Sequence, residues 1–461
     1  MRLALAAVLV AGCADSHSAV RGSYVYRYGD GTTVPVDLSR QSFQAYVLQD
    51  GGYVVYPHEP VAGTAGGTFE IPDVPDGPFL LRRSFGTFYG VFVPHDAHTV
   101  AETWDVLGRP DAAPVLGPTF VELDATGLAA WQADDSLSLD CFGNASELVD
   151  PALSPPLTAG ATAIQATFDW GEGYSWGAGY VPYLMDATAG DELLIAHASA
   201  RTSDGVRTSV VTQVLTAAAP APALGEMPRV TGAFVDVAAT LQLTAAVPGD
   251  QLAAMLETGI TPVDQNVVLV VGPATATGSL LGPELTRMTT RAAAAPLLAS
   301  AAYGNPFDPA WQPRIAAWYT ARRHLDAGQL GTLDIPFAAF TESRSLAGDR
   351  FTLEPLTAVS QVTLDGVAVA GQSVRLPPHQ AVRLDFVEPA EATRGRVIVW
   401  RVDRGVEAAY VELARAPIDL PPDLFQAGGR YAFQVDVFAD DGDGRTRSAS
   451  TYSDAITLLG Q

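Results

Sequence analysis

With 461 residues, 48% of them hydrophobic and 17% charged, the chain exceeds a single core, has length for about three domains, and is too apolar to be disordered. A formal net charge of −24 opposes phosphate backbones and anionic lipid surfaces, which argues against nucleic acid as a partner. Every basic side chain is arginine, which rules out a Walker A lysine, a Schiff-base lysine, a Ser–Lys dyad and Lys–Asn isopeptide staples.

The first thirteen residues read MRLALAAVLVAGC. Arg2 supplies a positive n-region, and Leu3 to Val10 form an apolar run too short for a permanent span of roughly 20 residues. The close, Leu9-Val10-Ala11-Gly12-Cys13, resembles the lipobox of bacterial lipoproteins. That resemblance implies cleavage before Cys13, a thioether-linked diacylglycerol on its sulfur and usually an acyl chain on its new amino group, enough for stable anchoring. An ordinary secretory signal with a chance cysteine is the alternative. Residues 1–12 are expected to be the signal peptide and 13–19 a tether. No later stretch is long and apolar enough to span a bilayer, so lipid on Cys13 is the expected membrane contact. With Cys13 committed, Cys141 has no intrachain partner. Its place in the alternating segment SLSLDCF predicts a buried structural thiol.

Strand signals follow from Val20. Val20 to Tyr26 leads to an Asp30-Gly31 turn, and Phe43, Ala45 and Val47 alternate with polar residues. Thr68 to Ile71 then meets a turn set by Pro75, Asp76 and Gly77. This pattern resembles the carboxypeptidase regulatory-like family, whose members open on V-x-G and carry a G-x-F-x-I-x-x-V-P-x-G-x-Y/F-x-L segment. Val20 and Gly22 match the first, and Gly67, Phe69, Ile71, Val74, Pro75, Gly77, Phe79 and Leu81 fit the second with small spacing shifts. The resemblance implies a transthyretin-like β-sandwich over residues 20–107, usually an accessory module. Near its end, His95 and His98, with Glu102 and Asp105 after them, have metal-ligand residue types. Their i, i+3 spacing points the two imidazoles to opposite faces of a strand, so solvated loop histidines are the plainer reading.

Residues 108–222 and 223–354 read as two further β-rich domains, or as one unit. Thr119 to Leu123 and Leu137 to Leu139 alternate, and Leu193 to Ala200 and Val206 to Leu215 flank Asp204-Gly205, a hairpin signal. Ala217 to Pro222 has linker composition. Two helices are predicted, Gln251 to Thr258 capped by Asp250, and Gln312 to Leu325. Gly173-Tyr174-Ser175-Trp176-Gly177 matches the nucleophile-elbow motif, but Gly177, Gly179 and Pro182 cannot open the helix that motif requires. A hydrolase would need Ser175, or a carboxylate pair, to meet His197, His324 or His379. The run Trp170, Tyr174, Trp176, Tyr180 and Tyr183 reads first as core aromatics of a β-domain; if the chain has a ligand surface it is expected here, as a stacking platform for sugars or a protein docking patch.

Residues 355–461 carry regularly spaced short strands. Val382 to Phe386 with Pro389, and Gly429 to Val435 with Tyr431, resemble the B and F strands of a fibronectin type III domain. Phe386 stands where that family has a buried tryptophan, so an immunoglobulin-like sandwich fits nearly as well. Asp440-Asp441-Gly442-Asp443-Gly444 resembles part of a calcium loop, with Asp441 and Asp443 as candidate ligands, but Arg445 takes the next ligand position and a hairpin turn is expected.

The expected fold is mainly β, several β-sandwich domains in tandem with few short helices, the first sandwich next to the membrane and the last at the far end, and 43 glycines and 33 prolines suit its many turns. The expected function is a non-catalytic binding, adhesion or scaffolding role in the bacterial cell envelope, outer membrane or cell surface. No catalytic residue, metal or cofactor is nominated, and an envelope protein or glycan is the expected partner. The alternative is an envelope-anchored hydrolase or carbohydrate-active enzyme with its site in the middle region.

Overall fold

The computed structural model describes residues 17–85, 90–175, 181–218, 227–248, 263–274, 284–291, 297–307, 312–326, 332–346, 348–368, 373–375, 381–412, 415–426, 428–442, 444–453 and 456–459. Cys13 and the helix expected at 251–258 lie outside them. The protein is mainly β, and helical structure among the described residues is confined to three-residue 3-10 turns. Strand alternation sets the layers. In Phe120–Thr126, for example, Val121, Leu123 and Ala125 are fully buried while Phe120 stays half exposed.

Besides one junction between the first and last sandwiches, four parallel pairs among the described strands each join a strand to one far downstream. His17–Arg27 meets Thr99–Asp105, Phe120–Thr126 meets Arg229–Ala233, Leu241–Val247 meets Arg350–Thr352, and Ser373–Arg375 meets Ile456–Leu459. Parallel neighbours need a long connection, usually a helix. Here the connection is a set of antiparallel strands, so each span returns to its own starting edge.

Small sheets of three or four strands form one layer of these sandwiches, and a single 20-stranded sheet forms the other layer throughout. That sheet crosses from span to span by edge pairing. Val206–Ala218 pairs along its length with Glu192–Ser203, and its first half also pairs with Thr286–Arg291. Thr332–Ser345 pairs with Thr446–Tyr452, and Val406–Glu412 runs parallel to Gly90–His95. Sheet edges left open invite aggregation, and each of these junctions closes two.

The last junction corrects the expectation that the first and last sandwiches lie at opposite ends. They share a sheet edge, and Tyr46 Oη donates to Asp423 Oδ2 (2.8 Å) while Tyr53 Oη donates to the Asp419 carbonyl (2.9 Å). A second correction concerns Gln312 to Leu325. It is a strand, Gln312–Asp326, hydrogen-bonded on both sides to Val263–Ala274 and Thr332–Ser345. Ile315, Ala317 and Tyr319 are its fully buried positions, so the working period is two.

Local chemistry explains several motif positions. A Cβ on Gly22 would lie 1.9 Å from the Phe69 ring, which stacks on Phe43 at 4.0 Å. Gly67 has a φ of +74° and lies against the Tyr24 carbonyl, so both sterics and backbone demand glycine there. The buried Tyr431 hydroxyl accepts the Gln426 N–H at 2.9 Å. Cys141 is a buried free thiol in the core spanning Val115 to Phe234, and burial pushes it up to about 12. Thiolate chemistry is thereby disfavoured.

Candidate functional site

The anticipated aromatic run does not make one surface. Trp170 has no exposed area, because the turn Trp170–Glu172 points its indole into the core and its Nε1–H donates to the Tyr183 carbonyl at 2.9 Å. That turn is fixed by Asp169, whose carboxylate accepts from Thr119 N and Gly171 N. Trp170 is therefore a core residue, as the core-aromatic reading expects, and has no place on a ligand surface. Tyr183 is half-buried and donates its own N–H to Ser146 Oγ. Trp176 and Tyr180 lie outside the described residues. Tyr174 stays 46% exposed.

The elbow geometry is absent at Ser175. The serine is buried in a two-residue strand antiparallel to Ser146–Val149, and its Oγ donates to the Ala145 carbonyl at 3.1 Å. An elbow serine tops a parallel strand and faces an oxyanion hole. His197 is committed elsewhere: its Nε2 pairs with Asp135 Oδ2 at 3.0 Å, both side chains buried, with Trp131 packed at 5.5 Å. The side chains of His324 and His379 lie outside the described residues. Ser175 and His197 thus carry separate structural bonds.

The weak metal candidates are likewise dispersed. His95 and His98 both pack on Phe79, at 5.8 and 5.7 Å between ring centroids. His98 bonds Ser18 Oγ through Nδ1 (2.5 Å) and meets the Pro75 carbonyl through Nε2 (3.2 Å), while burial holds His95 below the usual imidazole range. Asp441 accepts the Arg445 N–H as part of a turn, and Asp443 lies outside the described residues. Among the described residues no group of three or more His, Cys, Asp or Glu side chains is placed to hold a metal ion.

A different site emerges where Val206–Ala218 bridges two sandwiches. The large sheet curls there into a trough of about 780 Å³, within the range of small-ligand sites. Its polar lining follows from register, because cross-strand partners share a face. One row runs Arg207, Thr289, Val268, Trp318, and the next runs Ser209, Arg287, Val270, Ala316. The opposite wall presents Ser136 and Ser138, then Glu147 and Tyr174. Arg287 lies 5.9 Å from the Trp318 ring and donates to Glu284 Oε1 at 2.6 Å.

Behind this wall stands an acidic pair. Asp140 is directly opposite Glu147 on the neighbouring strand, and Glu147 is opposite Tyr174, whose hydroxyl donates to Glu147 Oε2 at 2.5 Å. Asp140 has no exposed area. Its Oδ2 accepts from Ser138 Oγ at 3.0 Å, and its Oδ1 has no partner. Burial, then the charge of Glu147, pushes the Asp140 carboxyl well above the usual range. Burial and the charge of Glu284 push Glu147 up against the opposing bond from Tyr174. Glu284 is raised by burial, less the effect of Arg287. Two carboxylates facing each other on one sheet face repel, and protonating either one relieves that repulsion.

Part of this site has a sequence signal. Leu137, Leu139 and Cys141 alternate with Ser136, Ser138 and Asp140, which marks a polar second face. Glu147, Glu284, Arg287 and Trp318 have no such signal, because only long-range pairing brings them to it.

No family model matches the chain, and no curated protein matches it. Among solved structures, one similar chain is described as a Ca2+-stabilized adhesin that helps an Antarctic bacterium bind ice. It has 12% identity and a TM-score of 0.16, covering 94% of this chain and 98% of that one. Another is the major pilin subunit BcpA of Bacillus cereus, with 9% identity and a TM-score of 0.15 over 73% of this chain and 99% of that one. At such TM-scores neither likeness bears on the site.

Proposed function

We propose that this protein is a lipid-anchored, non-catalytic binding protein of the bacterial cell envelope, with its ligand surface in the trough between the second and third sandwiches. The observation that carries the reading is the trough itself: a concave, half-polar cavity at a junction of two sandwiches, with aromatic, hydroxyl and charged side chains converging on it. A binding role is favoured over hydrolysis because Ser175 and His197 are each engaged in other bonds. The adhesion and scaffolding readings share this surface and differ only in partner.

In this reading residues 20–107 are a carboxypeptidase regulatory-like module, supported by the packing demand at Gly22 and Gly67. Residues 355–461 are a fibronectin type III or immunoglobulin-like sandwich. The bond from Gln426 N to Tyr431 Oη supports this, since such domains tie a strand-F tyrosine to backbone a few residues upstream. Cys13 carries the lipid, and the residues before His17 tether the acidic body to the membrane, outer membrane or cell surface. The tether is shorter than the expected 13–19, because His17 to Ala19 belong to the first strand, where His17 and Ser18 pair with Pro75 and Val74. The test of the anchor is metabolic labelling with a tagged fatty acid. The wild-type chain incorporates label and Cys13→Ala does not. Label persisting in Cys13→Ala contradicts the anchor.

A further inference from the structure

Both arginines that line the trough have partners of their own. Arg287 is engaged with Glu284, and Arg207 donates to the Asp134 carbonyl at 3.0 Å. Asp140 and Glu147 therefore face each other with no arginine between them, and the fully buried Asp140 Oδ1 has no hydrogen-bond partner. Tyr174 covers one Glu147 oxygen and keeps 46% of its own surface exposed, so a ring standing beside that wall is open to a ligand. Trp318 supplies a second ring to the lining, and Ser136, Ser138, Ser209 and Thr289 supply hydroxyls.

Aromatic rings and hydroxyls lining one cavity suit a pyranose chain, whose C–H faces stack on aromatics and whose hydroxyls both donate and accept. The unpaired acidic end adds a charge requirement. Anionic sugars would meet Glu147, Asp150 and Glu284, while an ammonium would compensate the carboxyl pair by charge-assisted hydrogen bonding. We propose that the trough binds a short amino-sugar oligosaccharide, its ammonium on Glu147 and its sugar faces against Tyr174 and Trp318. This rests on the trough being the ligand surface.

A bound ammonium lets both Asp140 and Glu147 ionise, so binding releases a proton from the pair. The groups facing the pair from the surrounding elements are Tyr174, Glu284, Arg287 and Asp150. The experiment is calorimetric titration of the mature chain with a β-1,4-linked glucosamine tetrasaccharide, its N-acetylated counterpart and a neutral glucose tetrasaccharide, in two buffers of different ionisation enthalpy. The expected result is binding of the free-amine chain at least tenfold tighter than the other two, with a heat that changes with buffer. Glu147→Gln abolishes the tenfold preference and the buffer dependence, and Trp318→Ala weakens all three ligands. Near-UV circular dichroism establishes that each variant is folded. Where Glu147→Gln does not fold, Asp140→Asn, which leaves Glu147 in place, is expected to keep the amine preference and lose the buffer dependence, and unchanged buffer dependence there overturns the pairing of the two carboxyls. Equal affinity for the three sugars, lost in Trp318→Ala, overturns the ammonium assignment and leaves the trough as a ligand site. Binding of none of them overturns the saccharide assignment.

Discussion

Asp140 and Glu147 have opposed effects on stability and on chemistry. Their carboxyls are raised in the folded state, so the fold holds their protons more tightly than the unfolded chain does. Stability from this pair is fully present below the unfolded carboxyl range of about 4 and is lost as pH rises through the raised values. Asp140→Asn removes one charge and supplies an amide that can donate to Glu147. It is predicted to raise stability by about 1–3 kcal/mol at pH 7–8 and to give little at pH 4, read from melts across pH. A melting temperature at pH 8 equal to or below wild type would contradict the cost assigned to burying Asp140 beside Glu147. The same residues show the limit of reading from sequence. The polar face carrying Asp140 was legible from alternation with Leu137 and Leu139, whereas its partner was not, since Glu147 is brought opposite only by the register of the returning strand. Trp170 carried two readings. Its neighbours Tyr174 and Trp176 suggest a platform, and only the Asp169-capped turn reveals that the indole points inward.

At the scale of elements, local signals worked where the pairing is local. The Asp204-Gly205 hairpin forms as expected, with φ values of +52° and +77° at its two turn residues. Gln312 to Leu325 did not follow its apparent helical period, because two flanking strands satisfy its backbone and bury alternate side chains. The hairpin matters for the site, since its tip half, Val206–Val210, also pairs with Thr286–Arg291 and fixes which residues face the trough. A one-residue slip would turn Arg207 and Ser209 to the other face. Gly205→Val forces a β-branched residue into left-handed backbone. It is predicted to cost about 1–2 kcal/mol, seen as a lower urea midpoint at unchanged slope. An unchanged midpoint would show that the turn tolerates a side chain and does not set the register.

For the whole molecule, the mainly β class and the tandem sandwiches followed from composition and strand spacing, as the 20-stranded sheet and its smaller partner sheets bear out. The junctions were hidden, because edge pairing between distant strands leaves no local mark in either strand. They are what turn a row of sandwiches into a molecule with a cavity between two of them and with its first and last sandwiches joined along one edge. The account stands on that cavity being where a ligand is held. Hydrogen exchange of the mature protein, with and without a saturating saccharide fraction from the native envelope, tests it directly. The account predicts slowed exchange concentrated in 136–150, 206–211, 284–291 and 316–318. Protection confined to other segments, or none anywhere, would contradict it.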